Sequence, residues 1–308
     1  MLMPKYICSL LFLLMGFSLF AQKESAYIQV LGVTQDGGYP HMGCEKNCCA
    51  PAWADATKGR YVVSLALVDP ISKKWWLFEA TPDIKYQLHY FHTLTKGAYN
   101  YLPEGIFVTH AHIGHYTGLM QLGREVMNTR EEPVYALPRM QNYLENNGPW
   151  SQLMKLKNIA IRPLQAGKPV QLTGNISVSP FTVPHRDEYS ETAGFTISTS
   201  TTRYLFIPDV NKWDKWDRNI VEEVQKSDIA FLDATFYDDG ELPTRNMKEI
   251  LHPLVTETIA VFDKADKATK TKIHFIHMNH TNRMLWDKAK QKEVTGKGFM
   301  IAEQGHLY

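Results

Sequence analysis

The chain lacks a surplus of either charge, a second long apolar run and any internal repeat. Its 33 Lys and Arg residues are balanced by 32 Asp and Glu residues, and no long basic run occurs. Since nucleic acids are bound by clustered cationic surface, we do not expect a nucleic-acid partner. Beyond the N-terminus no stretch approaches the length of a membrane span, so no stable membrane insertion is expected. Without a repeat or a low-complexity linker, residues 22–308 are predicted to form one domain.

The one long apolar run, Tyr6 to Phe20, follows Lys5 and precedes Ala21 and a polar stretch. This order is typical of a secretory signal peptide. We therefore predict that residues 1–21 are removed and that the protein is periplasmic or secreted. Cleavage would take away only Lys5 among the charged residues, which leaves the mature chain formally neutral.

Three of the 4 cysteines lie in one loop, as Cys44, Cys48 and Cys49. Two arrangements are open. In one, Cys44 forms a disulfide with Cys48 or Cys49 and one thiol stays free, as export would allow. In the other, three thiolates and a fourth ligand hold a structural zinc ion, and His41 is the nearest candidate for that ligand. The tight spacing favours the metal.

The richest stretch of the sequence is His110-Ala111-His112-Ile113-Gly114-His115, which follows an apolar run typical of a buried strand. His110 and His112 are two residues apart, so in an extended segment their rings point to the same side. Neutral imidazole is the commonest protein ligand for zinc, and three histidines at this spacing indicate a metal site. The following segment, Tyr116 to Glu125, is predicted to be a helix.

More imidazole and carboxylate groups recur where predicted strands end: His185, Asp209, and His277 or His280. Catalytic metal sites need ligands that converge from separate elements, with one position left for water. Strands alternate with helices, including one predicted over Met247 to Asp263, and this mixture predicts an α/β fold with sheets covered by helices.

The histidine motif resembles the H-x-H-x-D-H signature of the metallo-β-lactamase superfamily. The glycine-rich turn over residues 32–38, the cysteine loop and His277-x-Asn279-x-x-Asn282 are similar to one branch of it. That branch contains pyrroloquinoline quinone biosynthesis protein B and the phosphonate-pathway phosphodiesterase. The resemblance implies an αβ/βα sandwich of two mixed β-sheets flanked by helices, with the site along one edge.

The resemblance also implies a ligand set. His110, His112 and His185 would form the first metal site. Asp209 would bridge to a second site that is completed by His115 and a last histidine. His277 matches that histidine by its position at a strand end, and His280 is the alternative.

Gly114 stands where the family has an aspartate that binds the second metal. We therefore expect one tight zinc ion at the catalytic centre and a second that is weak or absent, unless His280 or another group substitutes. On this interpretation Gly114→Asp should raise the metal content.

The implied activity is hydrolysis of an ester-type bond in a small-molecule substrate by a metal-activated water, with Asp209 orienting the water and sharing in its proton transfers. A phosphodiester, a lactone and another ester are all compatible with it. Tyr116, Arg186, Asp187, Glu188 and Tyr189 are candidates for setting substrate choice. One alternative is an Fe2+-dependent oxygenase similar to protein B, since a histidine and carboxylate site with open positions suits Fe2+. The other is a non-catalytic metal-binding homologue, which Gly114 motivates.

Overall fold

Two mixed β-sheets and the helices around them make up the fold. The computed structural model describes residues 25–243 and 245–308, so the predicted signal peptide over residues 1–21 lies outside the described residues. The strands are β1 (Tyr27–Gly32), β2 (Ser64–Asp69), β3 (Lys74–Phe78), β4 (Ile106–Phe107), β5 (Glu132–Ala136), β6 (Ile159–Pro163), β7 (Val170–Thr173), β8 (Ile176–Val183), β9 (Thr192–Ser198), β10 (Arg203–Ile207), β11 (Ile229–Asp233), β12 (Ile273–Ile276) and β13 (Met300–Ile301). The α-helices are α1 (Ala50–Ala54), α2 (Ile84–Leu94), α3 (Ile113–Tyr116), α4 (Pro138–Asn146), α5 (Trp150–Lys155), α6 (Ile220–Gln225), α7 (Val255–Val261), α8 (Lys267–Thr271) and α9 (Lys288–Gly296). Within the described ranges, no helix is long and apolar enough to cross a membrane.

The first sheet has the strand order β1-β2-β3-β4-β5-β6, and the second has the order β13-β12-β11-β10-β9-β8-β7. Strands β3 to β6 run parallel to one another, as do β10 to β13. The other neighbours are antiparallel. Parallel neighbours need crossover connections, which explains the mixture of strands and helices along the sequence. The predicted sandwich of two mixed sheets flanked by helices is confirmed.

Aromatic side chains fill the core between the sheets. Along β3, Trp76 and Phe78 belong to this core whereas Trp75 packs on the opposite face of the sheet, as the alternation of a strand requires. The Phe78 ring stacks on Phe107 of β4 with a centroid distance of 4.8 Å and meets Phe206 of β10 edge-on at 6.1 Å. The strands that lead to the candidate site are therefore held against one another by close packing.

The two sheets are joined by backbone hydrogen bonds along the edge where the parallel strands end. Ala193 N donates to Thr109 O at 3.0 Å, and Met278 N donates to Val33 O at 2.9 Å. The first bond holds the loop after β4 beside the second sheet. The second bond holds the loop after β1 beside the loop after β12.

The helix predicted over Tyr116 to Glu125 is wrong in extent. Only α3 and a 3₁₀ segment, Thr117–Leu122, are present there. Gly118 N donates to Ala80 O at 2.9 Å, and a Cβ at Gly118 would lie 2.9 Å from the same oxygen. This close approach to the chain after β3 competes with a regular helix.

The helix predicted over Met247 to Asp263 is also wrong in extent. It is divided into a 3₁₀ turn, Met247–Glu249, and helix α7. Pro253 is the reason, because the residue before a proline is disfavoured in helical conformation. His252 therefore lies in the connection between the two segments, where it reaches the candidate site.

Candidate metal centre

Four side chains from three loops converge on one point. His110 and His112 follow β4, His185 follows β8 and Asp209 follows β10. His112 Nδ1 lies 2.8 Å from His110 Nε2 and 3.2 Å from His185 Nε2. Asp209 Oδ2 lies 3.4 Å from His110 Nε2 and 3.2 Å from His185 Nε2. Four ligands placed about 2.0–2.1 Å from one zinc ion lie about 3.3 Å from one another, so these separations fit a tetrahedral site.

A second group lies directly beside the first and consists of Asp36, His115 and His277, with ligand atoms within 4.8 Å of one another. His115 Nε2 lies 3.3 Å from Asp36 Oδ1 and 3.7 Å from Asp209 Oδ2. Asp209 therefore lies between the two groups, in the position that a bridging carboxylate would take.

Neighbouring groups orient the histidine rings of the second group. Glu79 Oε1 lies 3.3 Å from His115 Nδ1, and Thr235 Oγ1 lies 2.9 Å from His277 Nδ1. The Thr235 hydrogen bond leaves Nε2 of His277 for the site, while Glu79 faces the Nδ1 side of His115 without forming a hydrogen bond to it. Such outer partners are typical of metal ligands. Glu79 and His277 have φ values of 74° and 64°, which non-glycine residues rarely adopt and which cluster at functional sites.

Unpartnered buried atoms test whether these residues fit a cation. In the described part of the chain His115 Nε2, His277 Nε2, Asp36 Oδ1 and Asp209 Oδ1 are buried without a hydrogen-bond partner. A buried polar atom left unpaired costs about 1–3 kcal/mol, so a coordinated ion explains this set better than an apolar void. Burial also lowers the pKa of His110 well below its usual range and keeps the ring neutral, as a metal ligand must be. Burial acts in the same direction on His115, but the Glu79 and Asp36 carboxylates outweigh it and raise the pKa well above its usual value, so a bound cation would take the place of that proton. The two groups therefore fit one or two cations.

His252 and Asp233 border the centre on the side of a cavity. His252 Nδ1 donates to Asp233 Oδ2 at 2.9 Å and lies 3.2 Å from Asp209 Oδ1. Burial has the largest single effect and lowers the pKa of His252, but the Asp233 and Asp209 carboxylates together outweigh it and raise the pKa to about 9. The cavity has a volume of about 570 Å³, and its lining includes His252, Arg186 and Arg245.

The residues predicted to set substrate choice occupy different positions. Arg186 lines the cavity beside His252. Glu188 Oε2 lies 3.0 Å from His112 Nε2, which makes it a partner of a candidate ligand. Tyr116 is buried, and its hydroxyl forms a hydrogen bond with that of Tyr143 at 2.9 Å, so it does not face the cavity.

A separate cluster consists of Cys44, Cys48, Cys49 and His280. Cys44 Sγ and Cys48 Sγ are 3.6 Å apart, and all three thiols are free. Thiolates placed about 2.3 Å from one zinc ion lie about 3.7 Å from one another, so the spacing favours zinc over a disulfide.

Two sequence-based assignments around this cluster need correction. His41 is not the fourth member, since its Nδ1 lies 2.9 Å from Met42 O and its ring packs on that of His280, with centroids 4.3 Å apart. His280 is not the last histidine of the catalytic centre, because it faces the cysteines while His277 joins Asp36 and His115. The spacing of histidines in the sequence did not show that the loop after β12 supplies one histidine to each of two clusters.

We expect His280→Ala to remove one zinc ion per chain and to lower the midpoint of thermal unfolding by about 5 °C or more, because a structural metal contributes folding free energy. His41→Ala is the matched control and should keep the ion. Metal analysis and thermal unfolding of both variants test the assignment. Retention of the ion by His280→Ala, or its loss in His41→Ala, would contradict it.

Comparison with known proteins supports the fold and the family. The sequence model of the Beta-lactamase superfamily domain matches residues 74–275, which is well over half of the chain. The chain belongs to the metallo-β-lactamase superfamily. Coenzyme PQQ synthesis protein B of Gluconobacter oxydans is 25% identical to it over 91% of this chain and 97% of that protein. The protein of the same name from Pseudomonas syringae is 24% identical, over 91% and 98% of the two chains.

Two solved structures have a fold similar to that of this chain. Zinc-bound PqqB from Methylobacterium extorquens superposes with a TM-score of 0.74 at 21% identity, covering 92% of this chain and 99% of that one. A diphosphatase from the PhnP family superposes with a TM-score of 0.65 at 19% identity, covering 92% and 97%. At these identities the likeness shows the fold. The branch indicated by the sequence is the one to which these relatives belong.

Sequence reasoning missed four residues of the centre: Asp36, Glu79, Asp233 and His252. Asp36 lies in the glycine-rich turn after β1, where only the likeness to relatives marked the segment. His252 precedes Pro253, and that proline was the available signal that the predicted helix was interrupted.

Proposed function

We propose that the protein is a metal-dependent hydrolase that cleaves a phosphodiester in a small anionic substrate. The observation that carries the proposal is the position of Asp209 between two groups of buried histidines, at the border of a cavity with arginine side chains. Zinc is the proposed ion, in keeping with the zinc-bound form of the PqqB relative. Export through residues 1–21 belongs to the same proposal.

The charge of the cavity favours a phosphodiester over a lactone or a neutral ester. Arg186 and Arg245 line it beside one carboxylate, Glu249, and the apolar side chains Phe236, Ile250 and Leu251. Guanidinium groups match phosphate oxygens with paired hydrogen bonds, whereas a neutral ester offers no anionic oxygen to them. The apolar surface would receive the organic part of the substrate.

Each residue of the centre then has a role in the reaction. When bound, the ions would acidify a water molecule and polarise the scissile phosphoryl oxygen. Asp209 orients the water and takes part in its proton transfers. His252, held by its hydrogen bond to Asp233, is the candidate proton donor to the leaving oxygen, since its ring borders both Asp209 and the cavity.

The test compares bis(p-nitrophenyl) phosphate with p-nitrophenyl acetate as substrates of the zinc-loaded protein. Arg186→Ala is expected to lower kcat/KM for the diester about 10- to 100-fold, because it removes a charge-assisted hydrogen bond, and to leave the acetate rate nearly unchanged. Arg203→Ala is the control, since Arg203 is exposed at the start of β10, opposite the end that leads to Asp209. Hydrolysis of the acetate alone would contradict the phosphodiester assignment.

An Fe2+-dependent oxygenase is the second candidate, because the resemblance to Coenzyme PQQ synthesis protein B covers 91% of this chain. The histidine and carboxylate groups of the centre are ligands that Fe2+ also accepts. Retention of iron during purification, together with oxygen consumption and no diester hydrolysis, would favour this function. A chain without either activity would be the non-catalytic homologue.

A further inference from the structure

We propose that Asp36, from the turn after β1, supplies the carboxylate ligand of the second metal that Gly114 lacks. The inference rests on the proposed metal-dependent function. It assigns a ligand that comes from a different loop, 74 residues before the first histidine of the motif.

The contacts of Asp36 support this role. Its Oδ1 atom lies 3.3 Å from His115 Nε2 and is buried without a hydrogen-bond partner in the described residues. Its other oxygen, Oδ2, accepts a hydrogen bond from Gln35 Nε2 at 3.1 Å. One oxygen is therefore held from outside, while the other faces the unpartnered Nε2 atoms of His115 and His277.

The backbone explains why Asp36 reaches the centre. Met278 N donates to Val33 O, and Gln35 N donates to Met278 O, each at 2.9 Å. These two bonds align the chain after β1 with the chain directly after His277. Gly38 N donates to Gln35 O at 2.8 Å, which closes a turn with Asp36 at its second position.

The second, independent observation is that Asp36 occupies the space next to the Cα atom of Gly114. A Cβ atom added at Gly114 would lie 2.0 Å from Asp36 Oδ1 and 2.7 Å from Asp36 Cα. The Asp36 carboxylate thus occupies the position where an aspartate at residue 114 would begin. An aspartate at residue 114 would clash with Asp36 in its present position. The glycine in the motif therefore goes together with a carboxylate ligand that another loop supplies.

The consequence is a second site with two carboxylates and two imidazoles: Asp36, Asp209, His115 and His277. This site would have as many carboxylate and imidazole ligands as a site in which residue 114 is aspartate. We therefore expect two ions in the histidine and aspartate centre and one in the cysteine cluster, three per chain in all.

The test is the metal content and affinity of Asp36→Asn, measured by elemental analysis and by competition with a zinc chelator. The amide keeps the shape of the side chain but loses its charge, so the content should fall from three ions to two. Since even outer partners of metal ligands change affinity about 10- to 100-fold, the affinity for the lost ion should fall at least tenfold. Asp55→Asn is the matched control, because Asp55 contacts Thr57 and Lys58 away from the centre. Circular dichroism checks that each variant is folded.

Two results would overturn the inference. One is an Asp36→Asn protein that keeps three ions with unchanged affinity. The other is a wild-type protein that binds only one ion outside the cysteine cluster. His277→Ala should lose the same ion as Asp36→Asn. Because the readout is metal content, a wild type that binds three ions but hydrolyses no diester would refute the hydrolase while leaving the Asp36 assignment in place.

Discussion

Asp209→Asn is expected to give the largest loss of activity of any single substitution in the centre, about 10³-fold or more in kcat/KM. Asp209 Oδ2 lies within 3.2–3.7 Å of His110, His185 and His115 Nε2 atoms, so one carboxylate serves both groups of histidines. A neutral amide at this position weakens cation binding on both sides. Metal ions contribute several kcal/mol of transition-state stabilisation, which corresponds to a rate factor of about this size.

The measurement combines steady-state hydrolysis of bis(p-nitrophenyl) phosphate with metal analysis. Asp228→Asn is the matched control, because Asp228 accepts a hydrogen bond from Arg203 N at the opposite end of β10. The metal content of Asp209→Asn should fall while the cysteine cluster keeps its ion. An Asp209→Asn enzyme with activity within tenfold of the wild type would contradict the bridging role.

Gly114→Ala is expected to damage the centre although it changes no ligand atom. The new methyl group would lie 2.0 Å from Asp36 Oδ1 and 2.7 Å from Asp36 Cα, so the turn after β1 must move. Forcing an extra carbon into a packed region costs about 1–3 kcal/mol of folding stability. We expect the displaced Asp36 to lower the affinity of the second ion as well.

Gly174→Ala is the control, since a Cβ atom at Gly174 would meet nothing within 4 Å. Urea unfolding and chelator competition on both variants give the two readouts. Gly114→Asp should behave like Gly114→Ala, which reverses the expectation drawn from the motif alone that an aspartate there adds metal. Full metal content and unchanged stability in Gly114→Ala would contradict this prediction, because the turn after β1 would then be able to move without cost.

Local patterns along the chain were sufficient to predict an α/β fold and part of the centre, and the family resemblance implied the sandwich of two mixed sheets. Apolar runs followed by histidine or aspartate identified the loops after β4, β8 and β10. Strands β8 and β10 are both antiparallel to β9, so they run in the same direction and their carboxyl ends lie at one edge of the second sheet. The structure brings His110, His112, His185 and Asp209 together at that edge. The family resemblance rests on the same residues.

Only the tertiary structure decided which group fills the place that Gly114 leaves and which histidine belongs to which cluster. Asp36 reaches His115 through hydrogen bonds between the loops after β1 and β12, a contact across more than 240 residues that no local pattern encodes. His277 and His280 are three residues apart yet serve different clusters. The physical reason is that residue type and spacing predict local conformation, whereas the partner of a side chain depends on which distant loops the packed sheets bring side by side.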